Sequence, residues 1–450
     1  MAIRAAALRY RDDMRLSAEN QEMHILGISG SYHGDTIGAM DACEGGVFNS
    51  SVEWYRGRGY WFKPPRVGIK EGKLIITLPS DLPSGTPLTE TMKTPSGNHE
   101  IRVAREPPDL SYIRFEGPVT SALEWVYDVQ SRLDSPIARI YLESIRHQLA
   151  LLRFKRRIFG ALVIEPLLMG AGGMVFVDPL FQRLLIMVVR SEYPLPIFNN
   201  NNEGGSSISS KEWRGLPVIF DEVFVGLYRL GFLRASDILG AEPDISVLAK
   251  MLTGGLLPLS VTLARQSIYD AFLGDRKEEA MLHGHSYTAH PIGCAVGKTS
   301  FDLSEDIVTN SDEWKGAKTK WAPPLWNGDS GSQNKIVGTA EPRVWSLWDP
   351  EFVSTLSQSS HIQEVMTLGT ILVLRISERG GSDEIFTSRY QATSADSFMR
   401  EVKRTLEDSP SSQFGIHFRT LGNVAYLMCS LNTPSRVLRT LEHAMLSILP

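Results

Sequence analysis

The sequence predicts an α/β protein: a larger layer of short, wholly apolar strands, then a smaller α+β domain. Three observations carry this. Residues 160–165 (GALVIE), 218–220 (VIF) and 245–248 (ISVL) are continuous or nearly continuous apolar runs, the pattern of strands covered on both faces. Each run delivers a polar residue at or just past its end: Glu165, the pair Asp221-Glu222, and Lys250. Beyond Gly297 the character changes. A strand candidate at 365–376, a helix at 396–406, a strand at 424–429 and an amphipathic helix at 435–449 suit a second domain. The expected division is 1–296 and 297–450, with an insertion at about 51–150 and a disordered loop at about 198–210.

In chain order, residues 1–13 carry apolar positions at helical spacing, and 24–28 (HILGI) reads as a strand. Residues 54–152 look less like a regular layer. They hold aromatic clusters (Trp54-Tyr55 and Tyr60-Trp61-Phe62), a polar stretch at 79–97 and a helix at 137–152. The short apolar run at 184–189 is closed off by Arg183 and Arg190, so it is a core strand or helix piece. Residues 198–210 (FNNNNEGGSSISS) are of low complexity. Residues 311–335 read as polar and irregular.

Composition excludes several classes. The chain has 450 residues, 42% hydrophobic and 22% charged, with net charge −5 and a pI near 6.1. That is ordinary globular composition, with no basic excess for nucleic acid. No apolar run reaches membrane-spanning length. Cys43, Cys294 and Cys429 are too few and too scattered for a disulfide framework, which favours a reducing compartment.

The chemistry concentrates in 216–255 (LPVIFDEVFVGLYRLGFLRASDILGAEPDISVLAKMLTGG). Lys250 follows an apolar run, where partial desolvation lowers an amine's pKa and makes it nucleophilic. It can form a Schiff base with an aldehyde cofactor, or simply open a helix at the surface. Asp221 ends a strand, where a carboxylate needs a partner. A pyridinium N–H is one, and a helix N-terminus is another. Arg419, near the 424–429 strand, needs an anion: a substrate carboxylate or a structural acid. His283, His285 and His290 lie close together, but no cysteine or carboxylate completes a metal set. Gly170, Gly172 and Gly173 after Glu165 make a backbone turn. Their spacing does not fit the G-x-G-x-x-G pattern.

Six segments together resemble one family: 31–40 (SYHGDTIGAM), 165–174 (EPLLMGAGGM), 220–231 (FDEVFVGLYRLG), 243–263 (PDISVLAKMLTGGLLPLSVTL), 283–295 (HGHSYTAHPIGCA) and 415–428 (GIHFRTLGNVAYLM). They are similar, in order, to class III (fold-type I) pyridoxal-phosphate aminotransferases. More narrowly they resemble the diaminopelargonate aminotransferases of the eukaryotic type fused to dethiobiotin synthase. The resemblance implies a fold-type I large domain and a small C-terminal domain in a homodimer. It implies pyridoxal 5'-phosphate as cofactor, 8-amino-7-oxononanoate as acceptor and S-adenosyl-L-methionine as donor. No metal, nucleic acid or membrane is implied.

By the same resemblance, Lys250 binds the cofactor and moves the proton, and Asp221 holds the ring nitrogen. Tyr32 stacks on the ring, although a core tyrosine at a tight turn also fits the residues. Glu165 lies near the cofactor, and Gly284 and Ser286 reach a phosphate across the dimer. Arg419 takes the substrate carboxylate, and Tyr426 lines the same pocket. The resemblance places residues 1–13 in the helix that follows the family's phosphate loop. The large domain is thus expected to be N-terminally incomplete and its cofactor binding weakened. Residues 1–15 are arginine-rich like a transit peptide, but Asp12 and Asp13 argue against one. Mitochondrial localisation is implied by the family alone, with the cytoplasm otherwise. Another class III omega-aminotransferase, or a non-catalytic protein keeping the fold as a scaffold, remains open.

Overall fold

The computed structural model describes residues 1–6, 22–82, 88–93, 100–105, 111–191, 215–322, 342–378, 392–409 and 414–449. The expected loop at 198–210 and most of the expected helix at 1–13 lie outside them.

The apolar runs form one sheet. Its strands, in spatial order, are Val261–Ala264, Ile245–Leu248, Val218–Asp221, Ile158–Ile164, Met23–Ile28 and Gly59–Phe62. All neighbours are parallel except the edge strand Val261–Ala264, which runs antiparallel to Ile245–Leu248. Parallel strands are covered on both faces, and Phe159, Leu162, Ile164, Val218 and Phe220 are buried accordingly. The run at 184–189 is part of the helix Pro179–Ser191, with Leu184, Leu185, Val188 and Val189 inward.

The second sheet has the order Arg419–Leu421, Val424–Met428, Ile371–Ile376, Ile362–Leu368, Arg66–Lys70, Lys73–Thr77, Tyr112–Glu116, Glu100–Arg105 and Leu88–Lys93. It is antiparallel throughout. Strands from 66–116 therefore extend the C-terminal sheet, and the join between them is the single register pair Val365↔Ile69.

Three readings are corrected here. The described residues of 59–154 are largely regular structure: hairpin strands followed by the helices Val119–Tyr127, Val129–Arg132 and Pro136–Phe154. Strands such as Tyr112–Glu116 bury alternate residues only, so no apolar run marks them. The polar segment after residue 311 begins with a helix, Asp312–Trp321. Ser311 caps it by accepting from the Trp314 N–H at 3.4 Å, and Trp314, Ala317 and Trp321 form its buried stripe. The 365–376 strand is a hairpin, Ile362–Leu368 and Ile371–Ile376, turning at Gly369 with φ +54°.

The helix Pro136–Phe154 shows the local logic. Ser135 accepts from the Ala138 N–H at 3.2 Å, proline opens the first turn, and Ile137, Tyr141, Ile145 and Leu149 recur every four residues on the buried face. Tyr141 donates to Asp178 at 2.9 Å, and Arg132 grips the same carboxylate with two N–H groups at 2.7 and 2.8 Å. Both side chains of that ion pair are wholly buried. Asp178 also receives the Leu180 N–H at 3.0 Å, so one carboxylate ties these helices to the start of Pro179–Ser191. Among the described residues no helix is long and apolar enough to cross a membrane.

Candidate active site

Lys250 stands just past the strand Ile245–Leu248, where the chain enters a short 3-10 turn. Its φ is +49°, a left-handed conformation that a lysine holds only when its surroundings impose it. The residue is exposed overall, yet its Nζ lies over the Phe224 ring, 5.1 Å from the centroid. Cover by the protein lowers its pKa, and the Arg229 cation lowers it further. Glu165 and Asp221 oppose the shift. More of the amine is therefore neutral and nucleophilic than in free lysine.

Asp221 closes the strand Val218–Asp221. Its Oδ2 is 2.8 Å from His33 Nδ1, both side chains being mostly buried. Its Oδ1 accepts the Val223 N–H at 3.2 Å. The opposite ring nitrogen of His33, Nε2, is buried without a partner among the described residues.

Glu165 follows the strand Ile158–Ile164 and is buried. One oxygen accepts the Tyr32 N–H at 2.8 Å and the other the Gly170 N–H at 2.9 Å. Burial pushes its pKa up to about 7, Asp221 adding to the rise while His33 and the two N–H groups resist it. The glycine turn explains the close approach. A Cβ on Gly172 would lie 1.6 Å from the Gly30 carbonyl oxygen, so the turn fits only as glycine against the loop carrying Tyr32. Tyr32 donates its hydroxyl to Asp35 at 2.7 Å. Burial and that carboxylate push its pKa up to about 12.

Arg229 was not singled out from sequence. Its side chain is mostly buried, with Nε donating to the Phe224 carbonyl at 2.6 Å and a terminal nitrogen to Met428 Sδ at 3.4 Å. No acid among the described residues pairs with it, and burial lowers its pKa to about 10. The signal was there: one arginine inside the otherwise apolar Leu227–Leu230 stretch.

Arg419 and Tyr426 are register partners across adjacent strands, Arg419–Leu421 and Val424–Met428. Partners directly opposite share a face. Met428, two residues on, shares it too, so the edge that carries Arg419 reaches Arg229. The Arg419 side chain is exposed and has no hydrogen bond or ion pair among the described residues. Gly284 and Ser286 are exposed. Their segment bonds to itself: the Tyr287 N–H to His285 Nδ1 at 3.1 Å, and Thr288 Oγ1 to the His285 carbonyl at 2.8 Å. His290 caps the helix Pro291–Asn310 by accepting the Gly293 N–H at 3.1 Å. Glu222 is buried and receives the Ala235 N–H at 2.8 Å and the Ser246 hydroxyl at 2.5 Å.

The structure thus gathers Lys250, Asp221, Glu165 and the Tyr32 turn at one place, with His33 and Arg229 between them. Gly284 and Ser286 are not drawn to it within one chain.

Residues 210–317 match the aminotransferase class-III family. A bifunctional dethiobiotin synthetase/adenosylmethionine-8-amino-7-oxononanoate aminotransferase from Emericella nidulans is 38% identical over 447 residues, 98% of this chain and 49% of that protein. The mitochondrial bifunctional dethiobiotin synthetase/7,8-diamino-pelargonic acid aminotransferase of rice (Oryza sativa subsp. japonica) is 34% identical, over 90% of this chain and 39% of that protein. The chain therefore spans about half the length of these relatives, or less. The fold is that of solved aminotransferases. The adenosylmethionine-8-amino-7-oxononanoate aminotransferase from Methanocaldococcus jannaschii superposes with a TM-score of 0.56 at 18% identity, covering 99% of this chain and 72% of that one. A Bacillus anthracis aminotransferase gives 0.59 at 14%, covering 99% and 73%.

Proposed function

We propose, from the match of residues 210–317 to the aminotransferase class-III family and from relatives 34–38% identical over most of this chain, that it is a pyridoxal 5'-phosphate-dependent transaminase of biotin biosynthesis. It moves an amino group from S-adenosyl-L-methionine to 8-amino-7-oxononanoate, giving 7,8-diaminononanoate. The names of its relatives support the substrates. The observation that supports the chemistry is Lys250: a covered amine of lowered pKa, flanked by Asp221 and Glu165.

The residues fit the cofactor. When bound, it supplies an aldehyde for the amine and a pyridine ring that draws electrons from the substrate carbon. Lys250 would hold it through its amine, and that amine is placed to carry a proton to and from the substrate carbon. Asp221 would hold the ring nitrogen protonated, its carboxylate being fixed by His33. The Tyr32 ring would cover one face. Glu165 sets the Tyr32 loop through the backbone. Arg229 keeps Lys250 from holding its proton too tightly. Arg419, with Tyr426 opposite, receives the substrate carboxylate through the guanidinium fork.

Gly284 and Ser286 serve the cofactor phosphate from a second copy of the chain. Support comes from exposed apolar side chains in the same stretch of chain: Leu256, Leu263, Leu273, Leu282, Tyr287 and Ile292 are 54–74% exposed, as an isologous interface would use. Light scattering on eluting protein should give twice the chain mass. A monomer with full activity would remove the cross-subunit role. A mitochondrial setting follows the names of the rice and Arabidopsis relatives. The central test is borohydride reduction with pyridoxal phosphate present, followed by peptide mapping. The cofactor should be fixed on Lys250, and fixation elsewhere would end the reading.

A further inference from the structure

One half-buried ring, Phe224, meets both cations of the site. The Lys250 Nζ lies 5.1 Å from its centroid and the Arg229 guanidinium carbon 4.8 Å. The backbone of Phe224 holds the second cation as well, its carbonyl accepting from Arg229 Nε at 2.6 Å. Behind the ring stands the glycine turn. A Cβ on Gly170 would lie 3.2 Å from Phe224 Cγ, so the bare glycine leaves the ring its place. Gly170 in turn donates its N–H to Glu165 at 2.9 Å.

The two cations differ in how firmly they are held. Arg229 is fixed at both ends, by the Phe224 carbonyl and by Met428 Sδ. Lys250 carries its amine on a flexible four-carbon stem. Among the described residues that amine makes no hydrogen bond or ion pair, and the Phe224 ring is the contact that gives it a direction. Two positive groups brought together repel. An aromatic face attracts each of them, and an aliphatic side chain of the same bulk would fill the space without doing so.

We propose that Phe224 is a positioning residue for the reaction: its ring seats the free Lys250 amine, with Arg229 held against the same ring. The proposal deepens the transaminase reading and rests on it for its catalytic consequence alone. An amine that must reach the substrate carbon in every turnover then starts from one place instead of many.

The test is reductive methylation of the full chain with labelled formaldehyde, which keeps the charge of each lysine, followed by proton–carbon NMR with no cofactor added. Lys250→Arg identifies the Lys250 signal by its loss. Methyl groups held over a ring face are shifted upfield. The Lys250 signal should therefore stand apart from those of the solvated lysines. Phe224→Leu should return it among them, and Phe224→Tyr should keep it apart. A Lys250 signal lying among the others in the unaltered chain overturns the proposal without any Phe224 variant. So does a displaced signal that Phe224→Leu leaves in place. In steady state, Phe224→Leu should lower kcat about threefold to tenfold, the worth of a cation–ring contact, with both Michaelis constants changed less. An unaltered kcat in that variant would likewise overturn it. Borohydride fixation on Lys250 is read on the same protein. Its failure would remove the transaminase reading while leaving a displaced Lys250 signal standing.

Discussion

His33 Nδ1 and Asp221 Oδ2 meet at 2.8 Å although 188 residues separate them in the chain. One comes from the loop after Met23–Ile28, the other from the end of Val218–Asp221. The strand Ile158–Ile164 lies between these two in the sheet. The carboxyl ends of three neighbouring parallel strands, or the loops just past them, thus supply His33, Glu165 and Asp221. This is the carboxyl edge, where open α/β sheets place their ligands.

Asp221→Asn should lower turnover by about tenfold to a hundredfold while the circular dichroism spectrum is retained. An amide cannot balance a protonated ring nitrogen, and charge-assisted hydrogen bonds contribute about 1.5–3 kcal/mol. Near-normal turnover would mean that Asp221 serves only His33 and the Val223 N–H.

Glu165 makes stability depend on pH. Its folded pKa, about 7, lies above the ordinary 4.5. Between those values the folded chain binds a proton that the unfolded chain has released, so stability falls as pH rises through that window. At about 1.4 kcal/mol per pKa unit, the loss is roughly 3 kcal/mol. Urea unfolding at pH 4.5 and 7.5 should show this loss, and Glu165→Gln should remove most of it. Glu442, pushed up to about 7 by its own burial, slopes the same way and persists in the variant. Equal slopes in the two proteins would place the effect elsewhere.

Arg419→Ala should raise the Michaelis constant for 8-amino-7-oxononanoate about tenfold or more, since a guanidinium–carboxylate pair contributes about 1.5–3 kcal/mol. Turnover at saturation should change less. If kinetics for both substrates are untouched, the exposed guanidinium has no substrate role.

Gly172→Ala should destabilise the fold by about 1–3 kcal/mol, because the Gly30 carbonyl must retreat from a Cβ placed 1.6 Å away. The shift would also disturb the Tyr32 loop, so near-ultraviolet dichroism should change. A variant of unchanged stability and spectrum would show that the two loops part freely.

The large sheet and its end residues were legible in the sequence for one reason. Strands buried on both faces leave unbroken apolar runs, and residues 160–165, 218–220 and 245–248 are such runs. Among the strands of 66–116, Tyr112–Glu116 buries alternate residues only, and Arg66–Lys70, which buries consecutive residues, finds its partner near residue 365, far along the chain. The short run Leu74-Ile75-Ile76 in Lys73–Thr77 was the one local signal. Arg229 was missed because a partner made of a carbonyl, a ring face and a thioether leaves no charge pattern to read. The Lys250 conformation is likewise imposed by what surrounds it.

The single register pair Val365↔Ile69 has a consequence during synthesis. About 300 residues must be translated after Ile69 before its partner strand exists, on the order of 15–60 s at about 5–20 residues per second. Throughout that interval the strand Arg66–Lys70, whose Val67 and Ile69 are fully covered in the finished fold, presents an open edge. The nascent chain therefore carries an adhesive strand edge until residues 362–368 have been made. Its yield in a cell should depend more on holding chaperones than on the stability of the finished fold.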